Sequence, residues 1–409
     1  MNFWIFQTGE PIHSDKLNLR PMRAMNLSNT LTSRGHKVTL WTSSFDHQNK
    51  IHRSKKFKIL EENPNLEIRL IPSIGYKKNI SFFRLYDHFI LAKNLKQILK
   101  NEKNIPDVAF IGYPPIETAF FFTKWLKEKK VPVILDIKDL WPDIFIEIFP
   151  SFLRPLIKVL LFPYYILFKL SLGNVDGISS MSEGYLKLIL KKNKRVKHLK
   201  HKKIFRLTSP RDDFSKDEIQ NSKNHLLNLG IKDDLPIIFF AGTFMSVFDF
   251  DTIKKAIELL NSKKIICQFV FCGSGEYLSL VKRLMKDLPN VFFPGWVESS
   301  SLKYIASMSV ASLAPYKNIE NYTFNTPNKV VDSFRYGLPL LCPLKGEVLD
   351  LISEHKVGFT YETGEELSDY IFELLSDEKL QEEISQNSLK LYDREFSYNK
   401  VYGDFCLFL

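Results

Sequence analysis

A strand, a glycine turn, a helix and a second strand open this chain, and that unit then recurs along it. "NFWIFQTG" is a short apolar run ending in glycine, and "PMRAMNLSNTLTSRGH" carries apolar residues at Ala24, Leu27 and Leu31 with Gly35 as a C-cap. "KVTLWTS" returns as the second strand, so the sequence predicts a βαβ unit and a parallel sheet. "DVAFIGY", "IETAFFFTKWLKEKK", "VPVILDIKDLW" and "VDGISSMS" continue the alternation as strand, helix, strand and strand. After "IFRLTSPRDDF" it starts again: "PIIFFAGTF", "FDTIKKAIELL", "CQFVFCGSGEY", "YLSLVKRLMKDL", "NVFFPGWV" and "SVASLAPY". With 409 residues the chain is too long for one growing core, so two doubly wound α/β domains are predicted, joined near Ile204 to Pro210. In such sheets ligands sit outside the carboxyl ends of the strands, and a cleft between two of them is the expected site.

Charge and hydropathy add constraints on partners. An apolar share of 44% with 25% charged residues is an ordinary globular mixture and argues against disorder. The net charge of +11 is uneven, with basic residues concentrated in "KKNKRVKHLKHKK" from Lys191 to Lys203. Such a run seeks phosphate, on nucleic acid or on an anionic membrane; a solvated charged surface is the plainer alternative. "FLRPLIKVLLFPYYILFKLSL", Phe152 to Leu172, is the most hydrophobic segment, but Arg154, Lys158 and Lys169 leave only Val159 to Phe168 uncharged. That is about half of the roughly 20 residues a spanning helix needs. It reads either as a core helix or helix pair kinked near Pro163, or as a surface dipping into lipid and anchored by its cations. Cys267, Cys272, Cys342 and Cys406 lack metal-ligand spacing and read as buried free thiols of a reducing compartment. "MNFWIFQTGEP" reads as a first strand rather than a signal peptide, so a cytoplasmic location is expected.

"NTPNKVVDSFRYGLPLL", Asn325 to Leu341, is the stretch richest in chemistry. Thr326 suits an N-cap and Pro327 the first helical position, leaving exposed N–H groups and a positive dipole end as an anion site. Lys329 in the first turn is disfavoured by the dipole unless a phosphate binds there, and Asp332 is an acceptor suited to two neighbouring ribose hydroxyls. A surface Lys329–Asp332 pair is the alternative, worth a few tenths of a kcal/mol.

This stretch resembles the "PxK-apolar-apolar-E, then A-x-G-x-P-V" segment of the family 4 glycosyltransferases of GT-B fold, notably the branch that builds bacterial surface polysaccharides. Other segments are similar to that family's in the same order: "PDVAFIGYPPIETAFFFTKWLKEKKVPVILDIKDLWP", "SSMSEGYLKLI", "FVFCGSGEY", "NVFFPGW" and "SVASLAPY". The resemblance implies two Rossmann-like domains facing across a cleft: an acceptor-binding domain over 1–204, a nucleotide-sugar domain over 205–385, and a C-terminal helix over 386–409 packing back on the first. It implies a nucleotide-sugar donor, a glycan or lipid-linked glycan acceptor, and a protein peripheral on the inner face of the cytoplasmic membrane, with no nucleic acid. Asp332 stands where the family holds the donor ribose; Gly295, Trp296 and Val297 stand where backbone meets the base. Gly242, Thr243, Gly273, Asn325 and Thr326 belong to the donor-side loops, and Lys329 to the leaving phosphate. Gly9 stands close to the transferred sugar, Asp139 is the candidate to orient or deprotonate the acceptor hydroxyl, and Lys138, His13 and Asp15 are candidates to touch the acceptor. No DxD-like metal site is evident, and neither metal nor cofactor is expected.

Two departures bear on the donor. The family's Glu eight positions before the ribose carboxylate is Phe324 here, and its Arg and Lys in the first glycine loop of the second domain are absent from "AGTFMSVFDFD". A diphosphate donor, UDP first, is the expectation, with a CMP-linked acidic sugar as the alternative. A nucleotide-sugar epimerase of the same architecture, or a membrane-binding protein without catalysis, are the readings from other classes.

Overall fold

The computed structural model describes the chain except residues 16–20, 79–80, 140, 148, 209 and 212–213, and except the side chains of 144, 147, 192, 194, 195 and 320. The chain forms two units: Met1–Ser209 together with Val401–Leu409, and Pro210–Lys400.

In the first unit the apolar runs become strands: β1 (Asn2–Phe6), β2 (Lys37–Ser43), the small hairpin β3 (Phe45–Asp46) and β4 (Ile51–His52), then β5 (Lys58–Asn63), β6 (Leu66–Ile71), β7 (Val108–Tyr113), β8 (Val133–Ile137), β9 (Gly177–Ser180) and β10 (His201–Ile204). Eight of them make one sheet in the order β10-β9-β8-β7-β1-β2-β6-β5, parallel except for β5 against β6. Phe3 to Phe6 are all buried, as the centre of a sheet covered on both faces requires. Four helices matter for the site: α1 (Arg23–Ser33), α2 (Phe82–Leu99), α3 (Ile116–Glu128) and the short α4 (Asp143–Glu147). Arg23 at the start of α1 forks onto Asp136 of β8 at 2.8 and 2.9 Å, with Ser179 donating to the same carboxylate. Removing one partner of a buried pair of this kind costs about 3–5 kcal/mol, so this contact fixes α1 against the sheet.

The hydrophobic segment forms α5 (Arg154–Leu160) and α6 (Phe162–Leu172), bent by 55° at the break where Pro163 opens α6. The core-helix alternative does not hold. α5 buries none of its residues and α6 only Ser171 and Leu172, while Leu156, Val159, Leu160 and Phe162 are all exposed. Among the described residues no single helix is long and apolar enough to cross a membrane.

The second unit has β11 (Ile237–Ala241), β12 (Gln268–Cys272), β13 (Val291–Gly295), β14 (Ser309–Leu313), β15 (Leu340–Leu341) and β16 (Gly358–Phe359), all parallel in the order β13-β12-β11-β14-β15-β16. Side chains alternate between two cores. Ile238, Phe240, Phe269 and Phe271 enter one, and Ile237, Phe239, Val270 and Cys272 the other. Residues 386–400 stay with this unit rather than returning at 386, because Leu391, Tyr392 and Phe396 are buried in the first of these cores. The terminal helix Tyr398–Phe408 then seats Phe405 on Phe205, stacked at 3.8 Å, within the first unit. Strand order reverses between β1 and β7 and between β11 and β14, so each sheet offers a crevice at those carboxyl ends.

Candidate active site

Three glycine loops leave the carboxyl ends of β11, β12 and β13. Gly242 N–H donates to the Cys272 carbonyl at 2.9 Å and Gly273 N–H to the Gly295 carbonyl at 2.6 Å, so the loops lie side by side. A Cβ on Gly273, at φ +131°, would stand 2.0 Å from the Gly242 carbonyl oxygen, which only glycine avoids. Backbone therefore forms the floor here, and a ligand can approach it closely.

Lys329 reaches this floor from the helix Asn328–Tyr336. Its ammonium donates to the Ala241 carbonyl and lies 4.6 Å from the Phe240 ring centroid and 5.1 Å from that of Phe248. Burial pulls it down to about 8, against an opposing pull from Asp332. The alternative, a surface Lys329–Asp332 ion pair, is not among the ion pairs of the described residues: Asp332 faces Arg335 at 3.7 Å, and the lysine turns into the glycine loops. An ammonium held among carbonyls and rings without a carboxylate is a site for an anion.

The helix start differs from expectation by one residue. Pro327, not Thr326, is the N-cap: its backbone is extended and its carbonyl accepts from Val330. Thr326 lies just outside, 2% exposed, and its hydroxyl oxygen has no hydrogen-bond partner among the described residues. Its N–H is taken by the buried Asn325 side chain at 2.9 Å. Gly295 opens into free space, Trp296 beside it is 71% exposed, and Val297 is buried. Thr243 is exposed on the first loop. Arg335 is buried and donates to the Pro210 carbonyl, and Arg211 pairs with Asp393, so both are engaged away from the glycine loops. One cation that the sequence does not advertise stands nearby: Lys317, after β14, donates to the Ser246 carbonyl at 2.8 Å, on the loop that lacks Arg and Lys of its own. A hollow of about 770 Å³ lies at the other end of the sheet, lined by Lys232, Gln268 and Asn290, away from these groups.

In the first unit Gly9 follows β1 with φ +78°. Asp15 is wholly engaged by Arg53, at 2.7 Å to each oxygen, and also accepts the Ile12 N–H. Lys138 pairs with the buried Glu10, whose other oxygen accepts the Ala24 N–H at 2.8 Å. These contacts brace the first loop and were not visible in the sequence, where Glu10 and Lys138 are far apart. His13 is exposed beside Asn29 and Glu62. Asp139 is half-buried at the carboxyl end of β8, and its carbonyl accepts the Trp141 N–H at 2.9 Å.

Residues 222–391, most of the second unit, match the family described as glycosyl transferases group 1. The second unit carries a glycosyl transferases group 1 domain. Solved structures give the fold of the rest. Sucrose-phosphate synthase from Thermosynechococcus elongatus aligns over 99% of this chain and 97% of its own, with TM-score 0.69 and 11% identity. WaaG, a glycosyltransferase involved in lipopolysaccharide biosynthesis, aligns over 99% and 98%, with TM-score 0.63 and 14% identity. HepE of Anabaena in complex with UDP-glucose aligns over 100% and 98%, with TM-score 0.64 and 12% identity. No curated protein sequence matches the chain. The fold of the chain is thus GT-B, with the two Rossmann-like sheets that the recurring strand-helix pattern predicts. The family match spans Gly242, Gly273, Gly295 and Lys329, the residues that the geometry brings together.

Proposed function

We propose that the chain is a glycosyltransferase that moves a sugar from a nucleoside diphosphate sugar, UDP first, to a hydroxyl of a lipid-linked or cell-surface glycan in bacterial polysaccharide synthesis. The observation that carries the donor half is the Lys329 ammonium set against the glycine loops with no ion-pair partner among the described residues. Charge builds on the leaving phosphate as the anomeric bond breaks, and donors already aimed at it lower that barrier without reorganising. The first turn of the same helix adds its N–H groups, and Asp332, partly exposed, is the candidate to accept from the ribose. HepE, of the same fold, was solved with UDP-glucose, which supports UDP as the first nucleotide to test. Asp139 is the candidate base for the acceptor hydroxyl. An anomeric C–O bond to the nucleotide breaks, one to the acceptor oxygen forms, and the acceptor proton leaves to the base.

The membrane half rests on the first unit's outer face. α3 packs against both α2 and α6, and α2 turns Phe82, Phe83 and Phe89 outward as α5 and α6 turn out Val159, Leu160 and Phe162. Lys77, Lys78, Arg154, Lys158 and Lys169, near these side chains in sequence, are exposed as well, the combination that suits an anionic bilayer surface. Of the basic run from Lys191 to Lys203, the side chains of Lys192, Lys194 and Arg195 lie outside the described residues.

The test is nucleotide release. UDP should leave a UDP-sugar faster when a glycan acceptor is added, and Asp332→Ala should weaken UDP binding at least tenfold, since charge-assisted hydrogen bonds are worth about 1.5–3 kcal/mol. A melting temperature that rises with CMP alone would move the donor to the CMP-sugars, and no rise with CMP, CDP, UDP or GDP would sink the donor reading.

A further inference from the structure

The loops after β2 and β6 gather side chains that the reaction above leaves unused. Asp46 ties the β3–β4 turn by accepting from Gln48 and Asn49 at 2.8 to 3.2 Å. That turn holds Lys50 in the left-handed region, at φ 57°, which a residue with a Cβ rarely adopts. So held, the Lys50 ammonium lies 4.8 Å from the centre of the Tyr76 ring. Arg84 stands in the first turn of α2, where the helix dipole disfavours a cation, and its guanidinium lies 5.5 Å from the same ring and 4.8 Å from that of Trp141. Two like charges thus converge on one half-buried tyrosine. Lys50, 3.4 Å from His47 Nδ1, is lowered by burial and then by Arg84, against an opposing pull from Asp46, and Arg84 hydrogen-bonds the Tyr76 side chain; His47, 2.5 Å from the Tyr76 hydroxyl, is held down to about 4 by burial and by both cations, again against Asp46. Asp87, the other carboxylate at hand, accepts the backbone N–H groups of Ile74 and Gly75. His88, 4% exposed and 5.2 Å from the Trp141 ring, has an Nδ1 with no hydrogen-bond partner among the described residues.

We propose that Lys50 and Arg84, floored by Tyr76 and Trp141, form a subsite for an oxyanion carried by the acceptor, a phosphoryl group above all. An anion between the two cations relieves their repulsion and offsets the misplaced charge at the α2 start, and a guanidinium presents paired donors to phosphoryl oxygens. The placement suits an acceptor group. His47 lies 3.9 Å from where a Cβ on Gly9 would stand, and the Trp141 backbone N–H bonds the carbonyl of Asp139, so the subsite adjoins the residue expected beside the transferred sugar and the one expected beside the acceptor hydroxyl. The inference rests on the reading that the first unit binds the acceptor. The phosphoryl group belongs either to a lipid head, with its tail along Phe82 and Phe83 on the outer face of α2, or to a phosphorylated sugar.

Calorimetric titration of the full chain decides it, with UDP saturating so that the Lys329 site is filled. The probes are dodecyl phosphate below its micelle concentration and glucose 1-phosphate. Binding of at least one probe should weaken tenfold or more in Lys50→Gln/Arg84→Gln and about threefold in Lys50→Gln alone, with the UDP melting shift retained as evidence that the variants fold. Dodecyl phosphate binding tenfold tighter than glucose 1-phosphate assigns a lipid head; equal or reversed affinities assign a phosphorylated sugar. Equal probe binding by the parent and both variants, or a parent that takes UDP but neither probe, overturns the subsite. Absence of UDP binding would instead strike the donor reading, and the probes titrated alone would still report on Lys50 and Arg84.

Discussion

The Lys329 ammonium occupies the space that any side chain at position 242 would need: a Cβ built on Gly242 would stand 1.7 Å from Lys329 Nζ. Lysine and glycine are 87 positions apart, since 329 − 242 = 87, yet each presupposes the other. Gly242→Ala should therefore leave the sheet intact, push the ammonium off the loop and strain a backbone at φ +146°. UDP affinity is expected to fall at least tenfold by calorimetry while the far-UV spectrum stays the same. Retained affinity would show that the nucleotide does not use this corner.

The pH dependence of nucleotide binding follows from the same residue. With Lys329 lowered to about 8 by burial, the ligand-free protein loses the charge as pH rises through that value, whereas a bound phosphate favours the charged form and raises it. Affinity for UDP should be level below about pH 7 and weaken by up to roughly tenfold per unit above about pH 8. Lys329→Met should bind weakly at every pH with no such slope. A parent whose UDP affinity is unchanged from pH 7 to 9.5 would place the phosphate elsewhere.

Glu117 offers a stability test independent of the ligand. It is 5% exposed in the first turn of α3, and burial raises its carboxyl to about 7, with Tyr164 of α6 the side chain facing it. Folded above unfolded means that the folded state holds the extra proton. The contribution is full below about 4.5, declines as pH rises, and is lost once pH passes about 7. The full span is on the order of 3 kcal/mol. Glu117→Gln should melt several degrees higher than the parent at pH 8 and close to it at pH 4.5, by calorimetry at both. An equal difference at the two pH values would mean that the carboxyl does not titrate with folding.

Much of this was legible in the sequence, and what was not has identifiable causes. The alternation of strand and helix signals is local, so both sheets could be read, and the glycines after β11, β12 and β13 marked the loops where backbone must approach backbone. The Thr326 cap was misplaced by one residue because Thr and Pro both favour the positions at a helix start, and only the Pro327 carbonyl accepting from Val330 decides between them. The apolar run through α5 and α6 has the same composition whether it faces a core or lipid, so its exposure could not be read. Pairs such as Arg53 with Asp15, or Lys138 with Glu10, join segments that only the sheet brings together.

The exposed apolar face predicts binding to anionic vesicles that weakens as salt rises, since a surface cation gains about 1 kcal/mol near such a leaflet and salt screens it. Leu160→Asp/Phe162→Asp should reduce vesicle binding at least tenfold in a flotation assay without lowering the melting temperature, because both side chains are already exposed. A parent that stays in solution with anionic vesicles at low salt would leave the lipid-linked acceptor without support.

The choice between a diphosphate and a monophosphate leaving group turns on Lys317. The loop "AGTFMSVFDFD" carries no cation, which taken alone favours the smaller charge of a monoester. The fold supplies one from the neighbouring crossover: Phe248 bridges to Tyr316, and that pairing brings the next residue, Lys317, onto the Ser246 carbonyl. Lys317 is exposed, so its ammonium can leave that carbonyl for a phosphate at little cost in desolvation. On the proposed donor reading, Lys329 on the inner side and Lys317 on the outer side would meet two phosphates rather than one. Lys317→Met should weaken UDP by about 1 kcal/mol, roughly fivefold, and leave UMP nearly unchanged, so that the preference for UDP over UMP narrows. The measurement is paired calorimetry of both nucleotides with parent and variant. Equal losses for UDP and UMP would remove Lys317 from the second phosphate, and tight CMP binding indifferent to Lys317 would make the CMP-sugar the donor.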